Sequence, residues 1–210
     1  FESDSCVRLA TRAGLKNVNP VPFDVWTEFG PNARFMILRD STGREDSGIF
    51  VDYRGHRLLS LVDCSNLNGN ILPDAVDVLL SAFAGGSTGF PVCWSEQYPQ
   101  QQIDAMVSQN CAHLANLVVN AAIATRAKVV IPYAGYFSEL HPADQEIHRI
   151  NVKNTPQLIS EKVRKMAPDA ITWIPDSGSK FDVGMLSAME LVGEAPAAPA
   201  HNFDEYLEPI

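Results

Sequence analysis

The sequence predicts a layered α/β protein with helices packed on a sheet. Three observations carry that expectation. The first half is a run of short strand-like segments separated by turn residues. The second half alternates strand and helix patterns. Between them, residues 100–126 hold one long stretch whose apolar positions recur at three- and four-residue steps.

Taken in order, residues 1–20 are mixed and give no clear element. VPFDVWTEF (21–29) alternates apolar and polar residues, as a half-buried strand does. RFMILRD (34–40) and GIFVDY (48–53) also read as strands, and the turn-rich STGREDSG between them predicts a hairpin. HRLLSLVDC (56–64) is a fourth strand, and SNLNGN (65–70) is a loop of turn formers. AVDVLLSAF (75–83) is mostly apolar and runs into AGGSTGFP, which favours a strand buried on both faces.

In 100–126 the apolar positions are Ile103, Met106, Val107, Cys111, Leu114, Leu117, Val118 and Ala121, the stripe of an amphipathic helix. KVVIPYAGYF (128–137) reads as a buried strand kinked at Pro132. HPADQEIHRI and TPQLISEKVRKM read as helices, each with Pro near its start. DAITWIP (169–175) is the last strand. From about Gly193 the composition turns to Ala and Pro, so the expected division is a domain over 1–192 and an extended tail over 193–210.

The 210 residues suffice for one sizeable domain, and a hydrophobic fraction of 46% is too high for intrinsic disorder. With 16 Lys and Arg against 25 Asp and Glu the formal charge is −9, which argues against nucleic acid or a membrane surface as partners. No apolar run approaches the roughly 20 residues of a bilayer span, and FESDSCVRLATR lacks a secretory pattern. Cys6, Cys64, Cys93 and Cys111 form no Cys-x-x-Cys pair. Reduced thiols and a cytoplasmic setting are the expectation. The Phe start and the end at EYLEPI suggest part of a longer protein.

Asp63 is the first candidate for chemistry. It ends an apolar strand, where open α/β sheets place ligand and metal groups, and a carboxylate there suits a hard or borderline metal. The alternative is a turn cap leading into SNLNG. His141 is the second. It follows the strand KVVIPYAGYF and becomes significant if it meets Asp63 across neighbouring strand ends; otherwise His-Pro is a plain helix entry. Gly85, Gly86 and Gly89 crowd one loop, which allows close backbone approach to a ligand, although the spacing matches no phosphate loop. Cys111 and His113 have half the spacing of a mixed Cys/His iron–sulfur site, but no Cys-x-x-His follows and Cys111 lies on the apolar helix face. Tyr133, Tyr136, Glu139, Asp144 and His148 gather around His141 in sequence. Glu28 is the only carboxylate of the early strand WTEFG and could point into a site.

The stretches NVNPVPFDVW, RFMILRD, GHRLLSLVDCSNLNGNILP, FAGGSTGFP, PYAGYFSELHPADQEIHRINVKN and ITWIPDSG resemble, in order, the CMP-N-acetylneuraminate hydroxylase family. Those monooxygenases join a Rieske iron–sulfur domain to a metallo-β-lactamase-like domain. The resemblance runs from about residue 15 onward and covers the later half of the second domain. It implies an αββα layered fold of which this chain holds the later half. It implies iron, possibly dinuclear, at Asp63 and His141, with zinc as the alternative metal. Gly85, Gly86, Ser87, Gly89 and Tyr136 would line a pocket for a small-molecule substrate, possibly a nucleotide sugar. A Rieske-type cluster would lie outside this chain, together with an electron-donor protein and a missing N-terminal half or partner chain.

The sequence departs from that pattern in two respects. The superfamily's His-x-His-x-Asp-His signature is absent, since the histidines are 56, 113, 141, 148 and 201. The Rieske ligands are absent too. A zinc hydrolase on the same fold and a non-catalytic interaction module are therefore the competing expectations.

Overall fold

The structure is a computed structural model that describes residues 5–186, except 45, 63, 65–74, 87–88, 136, 177 and 181. The expected tail over 193–210 lies outside the described residues.

One seven-stranded sheet organises the chain, and its spatial order follows the sequence order, β1 to β7. The strands are β1 (Thr27–Gly30), β2 (Ala33–Arg39), β3 (Ser47–Tyr53), β4 (His56–Ser60), β5 (Val78–Ser81), β6 (Val129–Pro132) and β7 (Ile171–Thr172). β1 to β4 form an antiparallel meander, and β4 to β7 are parallel. The helices are α1 (Ser5–Arg12), α2 (Gln100–Thr125), α3 (Gln145–Ile150) and α4 (Pro156–Met166). The fold class is mixed α/β, as expected.

Alternation along the strands separates the two faces of the sheet. Met36, Leu38, Phe50, Leu59, Leu79 and Val130 point to one face and pack with Ala115, Val118, Val119 and Ala122 of α2 and Ile159 and Val163 of α4. This is the main core. Of α2's buried positions, Ala115 and Ala122 sit at the centre, while the expected Leu117 and Ala121 are only half-buried. The buried stripe is turned round the helix from the expected one, keeping Ile103, Val107 and Val118 and adding Ala115, Val119, Ala122 and Thr125.

The second face carries two apolar rows. Phe35, Val51, Leu58, Val78, Val129 and Ile171 lie side by side across six strands. Ile37, Ile49, Leu80 and Ile131 lie in the next row, interrupted by Ser60 between Ile49 and Leu80. Among the described residues, Trp173, Val183 and Leu186 pack over the β5–β6 part of this face. Ile49 and Ile171 remain 37% and 42% exposed.

Several expected elements are shorter than the sequence pattern. The segment 21–29 pairs only from Thr27. Phe23 makes a single parallel bridge to Ile37, and Asp24 turns left-handed at φ 60°, its carboxylate accepting the Arg39 N–H. The segment 128–137 stops at Pro132, because Ala134 and Gly135 both turn left-handed, at φ 67° and 83°. Only Ile171 and Thr172 of DAITWIP pair. Helix α1 falls in the stretch that gave no element. The hairpin, α2 and α4 match their expectations closely. α4 starts at the Thr155 N-cap, whose hydroxyl accepts the Leu158 N–H, with Pro156 next.

Candidate functional site at the ends of the parallel strands

Parallel strands send their carboxyl ends to the same edge, so the segments after β4, β5 and β6 converge there. Asp63, in the first of them, lies outside the described residues, as do Ser87 and Tyr136. Cys64 beside Asp63 is buried in the main core. Burial, reinforced by the Asp40 carboxylate, pushes its thiol up to about 11. Cys64 is therefore a neutral packing residue.

The glycine loop after β5 is folded in on itself. Gly85, Gly86 and Gly89 all have positive φ, at 80°, 73° and 67°. The Gly86 carbonyl accepts the Gly89 N–H at 3.1 Å and the Asn151 Nδ2–H at 3.3 Å. A Cβ on Gly86 would lie 2.5 Å from Asn151 Oδ1, and one on Gly89 2.6 Å from Cys93 Sγ. On the Cβ side, these glycines are approached by the protein's own side chains.

After β6, the bend at Ala134–Gly135 comes against Ala84, with the Gly135 Cβ position 3.8 Å from the Ala84 backbone N. A non-glycine residue such as Ala134 in the left-handed region costs about 1–2 kcal/mol, and such strain gathers at functional sites. His141 follows, exposed. Its Nδ1 accepts the Ala143 N–H at 3.1 Å and caps the 3-10 turn Pro142–Asp144.

Between these loops sits a polar cluster that the sequence pattern did not single out. Glu139 and Lys153 form an ion pair at 2.8 Å, with side chains only 9% and 7% exposed. Lys153 Nζ donates to both carboxylate oxygens and lies 4.2 Å from the centre of the Phe137 ring. Asn151, also buried, donates from Nδ2 to Glu139 Oε1 at 2.7 Å. His148 Nδ1 is 3.1 Å from Glu139 Oε2. Burial pushes the Glu139 carboxyl up, but the hydrogen bonds from Lys153, Asn151 and His148 outweigh it and hold the group at about 2. Asn154 completes the arrangement, donating to the carbonyls of Phe83 and Cys111. Glu139 and His148 were visible as neighbours of His141 in sequence. The partner Lys153 was not, because it lies fourteen positions beyond Glu139 in sequence.

A cavity of about 350 Å³ opens beside the glycine loop, lined by Asp104, Val107, Ser108, Cys111, Ile150 and Val152. The Cys111 thiol lies 3.2 Å from the Val152 carbonyl, and burial raises its pKa. A larger cavity of about 650 Å³ lies on the second sheet face at the opposite strand ends, bounded by Tyr53, Arg54, His56, Arg57 and Lys180. Glu28 lies on edge strand β1, five strands from β6, and so does not meet His141; at about 4.8 Å per strand the separation is large.

Among the described residues, no three His, Cys, Asp or Glu side chains come together as a metal would require. His141 Nδ1 is engaged by the Ala143 N–H. The described residues alone do not make up a metal site.

The strand-end loops and the mixed sheet define an α/β protein with a candidate site at the carboxyl edge of its parallel strands. No family model matches the chain. It is 38% identical over 179 residues to the cytidine monophosphate-N-acetylneuraminic acid hydroxylase of Mus musculus, covering 82% of this chain and 30% of that protein. It is 39% identical over 178 residues to a human protein named as the inactive form, covering 82% and 34%. It is 38% identical over 173 residues to the hydroxylase of Danio rerio, covering 81% and 29%. Over this stretch the chain is a homologue of the cytidine monophosphate-N-acetylneuraminic acid hydroxylase family, as the resemblance in its motifs implied. It spans about a third of the length of these relatives. The stretch is about as similar to the protein named inactive as to the others, so identity alone does not separate the two.

Proposed function

We propose that this chain is the later half of the metal-binding domain of a hydroxylase, a monooxygenase acting on a small molecule such as a nucleotide sugar. The observation that carries the reading is the homology over 82% of the chain to proteins named as such hydroxylases. The two apolar rows on the second sheet face support the αββα layering. A second sheet packed there would cover Ile49, Val51 and Phe35, and such sandwiches need an apolar inner face. That covering layer would come from an N-terminal half or a partner chain. In this reading residues 1–192 belong to the domain and 193–210 form an arm.

Asp63 and His141 are then two ligands of an iron site, possibly dinuclear, completed by side chains from beyond the described residues. His141 joins it through Nδ1 only after its ring releases the Ala143 N–H. Gly85, Gly86, Ser87, Gly89 and Tyr136 line the substrate side. A Rieske-type cluster and an electron-donor protein would supply electrons from outside this chain. A cytoplasmic location accords with the free thiols of Cys64, Cys93 and Cys111. No helix among the described residues is long and apolar enough to cross a membrane.

The test is elemental analysis of this chain and of the longest form that can be expressed, each beside Asp63→Ala and His141→Ala variants. Iron in the longer form that is lost on either substitution is the expected result. Zinc would point to a hydrolase on the same fold. No metal in either form would make Asp63 and His141 structural and leave a binding module.

A further inference from the structure

The polar cluster around Glu139 joins parts of the chain that its backbone leaves separate. Glu139 belongs to the segment after β6, two residues before His141. Gly86 belongs to the loop after β5. Asn151 and Lys153 belong to the connection between α3 and α4. One amide, Asn151 Nδ2, donates both to Glu139 Oε1 at 2.7 Å and to the Gly86 carbonyl at 3.3 Å. Gly86 has no room for a side chain because Asn151 occupies it. Asn154, one residue past Lys153, fixes the start of the same glycine loop through the Phe83 carbonyl, and its own N–H donates to the Ala84 carbonyl at 2.7 Å.

A buried ion pair is weak evidence of stabilisation, because desolvating both charges offsets much of their attraction. Its value here is geometric. Lys153 donates to both Glu139 oxygens, so the carboxylate cannot rotate without losing a buried bond. Its Oε1 is thereby held facing Asn151, which in turn faces Gly86. We propose that Glu139, Lys153 and Asn151 are positioning residues that lock the His141 segment and the glycine loop into one rigid unit at the strand ends. This rests on the reading of that edge as the functional site.

The test reads loop motion directly by hydrogen exchange on the 210-residue chain without metal or substrate. Its failure is therefore distinct from failure of the hydroxylase reading. Peptides covering 82–90 and 133–144 are followed in wild type, Asn151→Ala, Glu139→Gln and the neutral pair Glu139→Gln/Lys153→Met. Thr155→Ala, which weakens α4 only, is the control. Asn151→Ala keeps the ion pair and breaks the tie. The expected result is at least tenfold faster exchange in 82–90 with 133–144 little changed, so that two segments with matched protection become separate. Glu139→Gln should free both segments at once. The neutral pair, which leaves no buried charge alone, should keep the protein folded while 82–90 and 133–144 still lose their matched protection. Unchanged exchange in 82–90 on Asn151→Ala would overturn the proposal. So would a uniform rise across α2 and the β2–β3 hairpin in that same Asn151→Ala variant, which is what general destabilisation produces.

Discussion

Glu139 shows how a side chain can be legible in type and illegible in role. The sequence places it two residues before His141 and says nothing of Lys153, fourteen positions further on. The pairing depends on how α3 folds back, which local pattern does not encode. Replacing Glu139 by Gln leaves the Lys153 ammonium buried without a counter-charge, which should cost about 3–5 kcal/mol in denaturant unfolding. Adding Lys153→Met should recover most of that loss. The carboxyl, held at about 2 against an ordinary 4.5, also sets a pH response. Its contribution is complete above about pH 5 and disappears as pH falls toward 2, since only the ionised form is held. A series of urea midpoints from pH 7 to 2.5 should fall more steeply in wild type than in the Glu139→Gln/Lys153→Met pair.

At the scale of elements, the loops after β5 and β6 depend on backbone conformations that few residues adopt. Gly86→Ala would place a methyl group in the left-handed region and 2.5 Å from the Asn151 amide oxygen, on a side chain whose Nδ2 donates to Glu139. A loss of about 1–3 kcal/mol is expected, read as a lower melting temperature. Thr155→Ala removes the α4 N-cap bond and should cost about 1 kcal/mol. The sequence marked that cap clearly, with Thr before Pro and an apolar stripe behind. It marked the β2–β3 hairpin equally well, because alternation and turn residues are local signals. Where the pattern overran, at 21–29 and 128–137, a left-handed turn at Asp24 delays the pairing to Thr27 and one at Ala134 follows its end at Pro132. Asp tolerates such a turn, whereas Ala does not announce it. Of the candidate site, His141 and the glycines were found from their place after strands, whereas the bonds that engage His141 Nδ1 and the Gly86 carbonyl come from residues remote in sequence or from backbone geometry.

At the scale of the whole molecule, the two faces of the sheet are unequal. The helix face is closed by α2 and α4, while the second face leaves half-buried apolar rows from β2 to β4. The isolated chain should therefore bind a hydrophobic dye such as ANS, and a longer form that supplies a covering layer should bind much less. Equal, weak dye binding by both would argue that the face needs no partner. The order of the sheet has a separate consequence. Because strands one to seven stand side by side in the order in which they are made, each new strand adds at a free edge and none must be inserted between two that have already paired. The four-stranded meander can assemble from near neighbours alone, and short loops close quickly. The last two parallel strands join later, since the crossovers to β6 and β7 first have to form α2 and then α3 and α4. On the ribosome, the meander can thus be in place before α2 has emerged, and the apolar side that α2 will cover is briefly open while the chain is still growing.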